Sequence, residues 1–447
     1  MDKIYIDIKY SMKEHVSCGV TTDELKELAN SKVIASVQKE IEFTLSKKEE
    51  KGRGFTTALG VLNSAFDKEL RQAIKDTLSD IKKCGIEVKH VIHAGIGGSE
   101  LGATALYNAC GNKKIKYYPI TSLNTDYINS IMKSINPKKT ILIQVSRSGT
   151  TKETLTSYSV VKNYLEKKLG EAHFKHCVSI LGTDKDDIAK KQAAHTKVKI
   201  IGSMSGRFTG LHAANLFTMA ILGVDIEEFH AGAREMLEKC AETTAIKENQ
   251  ALHTAALKYH MNKHKGKLVF MTNAFTPYLV KYGDWLDQLT EESLGHNENI
   301  THCTKTTELS NKLHSDFQNW LGGANIFYHQ FIFQLKPRSR TIKNPLVERE
   351  TLGDIELAAY LGTVKSLAMH NRPSFTTFMT SVNEYTLGQL FMRDMLSTIY
   401  LCELYGLGTE PGISGKGYFN QPGVQAYKKI MGELLKDKAL MKKELGF

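Results

Sequence analysis

At 447 residues, with 41% hydrophobic and 24% charged side chains, the sequence has the length of two or three ordinary domains and the composition of a soluble globular protein. No apolar run approaches the roughly 18 residues a membrane span needs, and Met1-Asp2-Lys3 lacks the apolar core of a signal peptide, so a cytoplasmic protein without a membrane partner is expected. The net charge of +11 comes from Lys and Arg spread among acids rather than gathered in one arm, which argues against nucleic acid and for a field that gathers small anionic substrates.

Seven scattered cysteines (18, 84, 110, 177, 240, 303 and 402) form no CxxC pair and fit reduced thiols in a reducing compartment. Residues 1–84 read as mostly helical. After them, β-rich apolar runs at 88–94, 115–120, 140–145, 177–182 and 198–201 alternate with helical patterns, which predicts a parallel, doubly wound sheet covered by helices.

The first of these runs leads into Gly95-Ile96-Gly97-Gly98-Ser99 and a helical stretch over 103–110. This is not a dinucleotide fingerprint, because no strand ending in an acidic residue follows about 20 residues on; Asp126 opens a helix-like segment instead. The glycines let a sugar approach the backbone, with Ser99 as a polar contact; a tight strand-to-helix turn without ligand is the alternative.

The third run ends in Ser146-Arg147-Ser148-Gly149-Thr150-Thr151 and opens a helix over 152–169. Unpaired N–H groups at a helix start carry partial positive charge, and four hydroxyls with an arginine on the same turn can surround phosphate oxygens. Gly206-Arg207-Phe208-Thr209-Gly210 then precedes a helix over 211–222, and a helical connection spans 227–247.

A second set has strands at 268–272, 326–335 and 375–382 and helices at 277–290, 355–370 and 387–405. Glu292 sits where a helical segment ends, and a carboxylate at such a turn beside a cleft can act as a general base. His314 could move protons near neutral pH. Lys428 closes the run from Tyr418, and 428–447 reads as a Lys-rich amphipathic helical arm over a neighbour.

These pieces together resemble the glucose-6-phosphate isomerase family over nearly the whole chain. In the family's order stand Gly97-Gly98-Ser99, the phosphate loop 146–151 continuing to Glu153-Thr154, Gly206-Arg207-Phe208 and Glu292-Ser293-Leu294-Gly295. Leu313-His314-Ser315, Glu384-Tyr385-Thr386-Leu387-Gly388, and Phe419-Asn420-Gln421-Pro422-Gly423-Val424 with Lys428 follow. The chain resembles the compact bacterial type.

The resemblance implies an α/β fold of two doubly wound sugar-isomerase (SIS) domains with parallel-rich sheets, plus the C-terminal helical arm. The expected boundaries are an N-terminal helical segment at 1–84 packing on the second domain, SIS domains at 85–230 and 231–415, and the C-terminal motif and arm at 416–447. It implies interconversion of glucose 6-phosphate and fructose 6-phosphate in glycolysis and gluconeogenesis, with neither metal nor cofactor. Ser146, Arg147, Ser148 and Thr151 would hold the phosphate, with Gly98, Ser99 and Gln421 as further substrate contacts. Glu292 would be the base, and Arg207 would stabilise the cis-enediolate. His314, oriented by Glu153, and Lys428 would open the sugar ring. In the family the histidine comes from a second subunit, so a homodimer with shared sites is expected.

Three positions depart from the family pattern: Ser205 replaces the first glycine of Gly-Gly-Arg, His296 stands where Lys is usual, and Gln425 replaces a common Glu. An isomerase of another 6-anionic hexose, or a non-catalytic phosphosugar sensor, are the other readings. The set of Glu292, Arg207, His314 and Lys428 speaks against the sensor, which would not need it.

Overall fold

The computed structural model describes all residues except 1, 51–54, 56, 202, 203, 409–415, 438, 440, 442, 443, 446 and 447. The chain opens with strand β1 (Ile4–Asp7), followed by helices α1 (Thr22–Ala29), α2 (Lys32–Ser46) and α3 (Lys68–Lys83). Each helix starts where a short polar side chain takes up a free N–H: Thr21, paired with Glu24 in a capping box, then Ser31 and Asp67. The expectation of helix over 1–84 misses β1, a four-residue strand too short to show a period.

The first sheet holds β2 (His90–Ala94), β3 (Lys116–Ile120), β4 (Thr140–Ser146) and β5 (Cys177–Leu181), all parallel, in the order β3-β2-β4-β5. Helices α4 (Leu101–Cys110), α5 (Thr125–Ser134), α6 (Lys152–Leu169) and α7 (Asp186–Gln192) connect and flank these strands. Every residue of β4 is buried, as its near-continuous apolar run requires of a strand covered on both faces. Residues 198–201, expected as a fifth strand, contribute one parallel bridge, Ile200 to Gly182.

Helices α8 (Ala213–Ile221), α9 (Ile226–Ala241) and α10 (Gln250–Lys263) lead to the second sheet. Its members are β6 (Val269–Ala274), β7 (Cys303–Glu308), β8 (Phe327–Gln334) and β9 (Ser374–Met379), with α11 (Val280–Leu294), α12 (Phe317–Gly322), α13 (Leu352–Met369) and α14 (Glu384–Leu404). The order is β1-β9-β8-β6-β7, parallel except for β1. Strand β7 escapes the sequence reading because it is a polar edge strand, Cys-Thr-Lys-Thr-Thr-Glu, that buries only Thr307.

Helix α14 is the buried axis that ties the parts together, with residues 386–402 all buried. It crosses α9 at Gly232 and Gly388, where an added Cβ would run into the Tyr385 and Phe229 carbonyls. Glycine there sets how closely the backbones meet. From the N-terminal region, Gln38 of α2 donates to the Ala241 carbonyl at 2.6 Å and accepts from the Tyr400 hydroxyl at 2.6 Å. Paired buried polar groups of this kind fix register as well as position.

The last described helix, α15 (Pro422–Leu434), buries no residue and starts at a proline, whose missing N–H costs nothing in a first turn. It begins six residues before the arm expected over 428–447, and much of that arm past 437 lies outside the described residues. None of the described helices is long and apolar enough to cross a membrane.

Candidate active site

In the first sheet the chain runs from β2 outward to β3 and then returns to β4 on the other side of β2. The crevice at the carboxyl ends of β2 and β4 is therefore the switch point of the sheet, where open α/β sheets bind ligands. The turns 95–99 and 146–151 both lie there.

In the second turn, Gly149 adopts φ +64°, a conformation that favours glycine. Ser146 Oγ accepts from the Gly149 N–H at 3.2 Å and lies 3.2 Å from Thr151 Oγ1, and Ser148 Oγ accepts from the Thr150 N–H at 3.2 Å. Thr151 is the N-cap residue of the 18-residue helix α6 but gives it no side-chain cap. The first N–H groups of that helix thus remain available to an anion. Arg147 is half-buried, donates to the Met204 carbonyl at 3.0 Å, and has its pKa lowered by burial. Lys185, which sequence reasoning passed over, lies against Gly149: a Cβ there would sit 3.5 Å from its Cγ.

The first turn works through its backbone. Gly98 is packed on Gly206, and its carbonyl accepts from Asn215 Nδ2 at 2.8 Å and Thr209 Oγ1 at 3.4 Å. Its place in the fold is the docking of one turn on the other. Ser99 is half-buried, and Glu100 beside it is buried, with its carboxyl bonded by the Thr104 hydroxyl and pushed up to about 7 by burial. Beneath the turn, His93 is pushed down to about 3 by burial.

Arg207 is the centre of the arrangement. It is 1% exposed, on the 3-10 turn Gly206–Leu211, and six oxygens surround its guanidinium. Nε donates to Ser293 Oγ at 2.8 Å; Nη1 reaches Ser205 Oγ at 3.0 Å, Glu292 Oε2 at 3.2 Å and Gln421 Oε1 at 3.2 Å. Nη2 donates to the carbonyls of Asn420, at 3.1 Å, and Tyr418. Burial lowers the arginine's pKa, the Glu292 carboxylate opposes that, and the charge of Arg147 adds to it. A buried guanidinium is tolerated because so many acceptors face it.

Glu292 occupies the last turn of α11, where its second oxygen accepts from Gln288 Nε2 at 2.9 Å. Sequence reasoning missed Gln288. The i, i+4 spacing on one helix face is the signal that could have found it. A Cβ at Gly97, which has φ +62°, would lie 2.7 Å from the same Gln288 nitrogen, so the glutamine sits against both the glycine turn and the carboxylate. His296 Nε2 lies 3.2 Å from the Glu292 carbonyl and closes the helix end.

The C-terminal motif joins by aromatic contact and by Gln421: Phe419 meets Phe208 edge-on at 4.8 Å. Six residues past Gln421, in α15, the Tyr427 hydroxyl donates to Glu153 Oε1 at 3.3 Å, so the half-buried Lys428 follows directly on a contact with the first turn of α6. His314 is not brought to this cluster within the chain. It is exposed on the turn Asn311–His314 after β7, and its side chain makes no hydrogen bond or ion pair among the described residues. The partner of Glu153 is Tyr427, not His314.

The site thus pairs a carboxylate with a fixed cation near a turn that leaves the first N–H groups of α6 without a side-chain cap, an arrangement suited to moving a proton next to a developing oxyanion. A family model for phosphoglucose isomerase matches residues 62–345, well over half of the sequence. The chain belongs to the phosphoglucose isomerase family. It is 27% identical over 85% of its length to the glucose-6-phosphate isomerase of Carboxydothermus hydrogenoformans, covering 88% of that protein. It is 28% identical over 96% of its length to a protein of Methanococcus maripaludis described as a probable glucose-6-phosphate isomerase, covering 94% of it. The crystal structure of a Chlamydia trachomatis glucose-6-phosphate isomerase shares the fold, with a TM-score of 0.79 over 98% of this chain and 89% of that one at 16% identity. Among phosphoglucose isomerase motifs, Gln421 and Lys428 lie beyond the matched stretch, and only the geometry ties Gln421 to Arg207.

Proposed function

We propose that this protein interconverts glucose 6-phosphate and fructose 6-phosphate through a cis-enediolate. The observation that carries the reading is the 3.2 Å approach of Arg207 Nη1 to Glu292 Oε2 beside the turn 146–151. The phosphate is held by Ser146, Arg147, Ser148 and Thr151 with the uncapped N–H groups of α6. That clamp supplies binding energy which places C1 and C2 at the carboxylate.

Glu292 takes the proton from C2 of the open-chain aldose. The electron pair moves into the C1–C2 bond, and the carbonyl π electrons move onto O1 to give the enediolate. Arg207 sets fixed positive charge against that oxygen. The O2 proton passes to O1, and the carboxylic acid returns its proton to C1, so the pair of carbons exchanges oxidation state without loss of atoms or electrons. Ring opening is separate work for an acid and a base at O1 and O5, which an imidazole and an ammonium can share. Lys428 and Glu153 belong to this chain's site, and His314 comes from a second copy. The exposure of His314 and the lack of a partner for its side chain among the described residues support that division. A cytoplasmic homodimer acting in sugar-phosphate metabolism follows from the same reading.

A coupled assay of fructose 6-phosphate conversion, with EDTA present, tests it on the native protein and on Glu292→Gln. Turnover that the substitution lowers by several orders of magnitude is expected. Phosphate-competitive binding without turnover would overturn the reading in favour of another 6-anionic hexose or a sensor.

A further inference from the structure

Ser205 departs from the family's sequence pattern, and the structure gives the departure a place. The residue precedes the 3-10 turn Gly206–Leu211, is 2% exposed, and its Oγ is the nearest of the three oxygens around Arg207 Nη1, at 3.0 Å against 3.2 Å for both Glu292 and Gln421. Nη1 carries two N–H groups, so three acceptors compete for two protons. The remaining three N–H groups are already committed to Ser293 and to the Tyr418 and Asn420 carbonyls.

The three competitors differ in what holds them. Glu292 is on α11 and Gln421 at the start of α15, 85 and 214 residues away, whereas Ser205 lies two residues before the arginine, at the N-cap of its turn. Once Glu292 takes a proton from carbon it is a neutral acid and a weaker acceptor for the guanidinium, and a substrate oxygen entering the site must displace a competitor. Ser205 alone moves with Arg207 and has no reason to let go during the reaction.

We infer that Ser205 is a positioning residue: its hydroxyl oxygen keeps one Nη1 proton occupied, so that the other stays aimed at the reacting edge while Glu292 holds the substrate's proton. The inference rests on the isomerase reading and refines it. A glycine at this position would leave that anchoring to Glu292 and Gln421, the two groups that chemistry must disturb.

The test compares the native protein with Ser205→Ala and Ser205→Thr in steady-state turnover of fructose 6-phosphate. Alongside, it measures binding of a hydroxamate analogue of the enediolate and of a phosphate-ended sugar alcohol that mimics only the ground state. Alanine should lower kcat about tenfold with KM within about twofold, and threonine should restore most of the rate, because the loss falls on an interaction needed only in the transition state. The hydroxamate should weaken by about the same factor and the sugar alcohol hardly at all. Equal weakening of both analogues with a lowered thermal midpoint would show a merely structural role and overturn the inference. So would native kcat in Ser205→Ala. Absence of turnover in the native protein is a different result, which removes the isomerase reading itself and the inference with it.

Discussion

Gly98 and Gly206 meet backbone to backbone, so closely that a Cβ on Gly98 would overlap the Gly206 carbonyl group and approach the Arg207 nitrogen at 2.5 Å. Since both contacts are main chain, nothing flexible can give way. Gly98→Ala should cost about 1–3 kcal/mol of stability through overpacking and displace Arg207 enough to lower kcat at least tenfold. Denaturant unfolding and turnover on one preparation check both parts.

Arg207→Lys keeps the charge and loses the fork. One ammonium offers three donors where six oxygens now converge, and it cannot serve Ser293, Tyr418 and Glu292 together. We expect kcat to fall by roughly two orders of magnitude or more, with a lowered thermal midpoint from the unpaired buried acceptors. A variant with near-native turnover would show that positive charge alone suffices at this position.

Mixing two inactive proteins examines the shared site. Glu292→Gln and His314→Ala chains, unfolded together and refolded, should form hybrid dimers holding one intact site and recover up to about a quarter of native activity, the share set by random pairing of equal copies. No recovery, with dimers present by sedimentation, would count against a site shared between two copies.

The buried Glu100 predicts a stability that depends on pH. Burial raises its folded value to about 7 from the ordinary 4.5, so the folded protein holds this proton over a range where the unfolded chain releases it. Stability from this group is therefore fully present below about pH 4.5 and is lost as pH rises through about 7. Native protein should lose up to about 3 kcal/mol relative to Glu100→Gln across that window. The difference between the two proteins is the useful measure, because His93, held near 3, titrates with the opposite sign in the same region. Parallel unfolding curves from pH 4.5 to 8 with no divergence would contradict the assignment.

The helix crossing of α9 and α14 is equally specific. Gly388→Ala would force a methyl into the Phe229 carbonyl and spread two helices that are buried along their contact. A loss of about 1–3 kcal/mol or more is expected, with KM unchanged, measured by thermal unfolding beside a turnover assay.

Much of the fold is legible where a segment's own chemistry settles its structure. Strand β4 is a mostly apolar run that leads into glycine and hydroxyls, and α6 follows it over the expected 152–169. Strands β1 and β7 are hidden for the opposite reason: one is four residues long, the other alternates polar groups at a sheet edge, and both exist because a neighbouring strand offers them hydrogen bonds. The same distinction governs the site. Glu292 and Arg207 stand out from motif and charge, whereas the acceptors at Tyr418 and Asn420 are main-chain carbonyls that leave no trace in side-chain identity. Gln288 is intermediate, visible only once Glu292 is chosen and the helix face is followed back one turn.

The acceptors of Arg207 also set a timetable for biosynthesis. Two of them, in residues 418 and 420, enter the chain more than two hundred positions after the arginine itself. A nascent polypeptide can complete its first sheet and build the turn 146–151 long before then, since those contacts are local to it. Until residue 420 has emerged, the guanidinium sits in a half-made shell and Gln421 is missing from its side. The buried charge of Arg207 is therefore fully paired only after nearly the whole chain has left the ribosome.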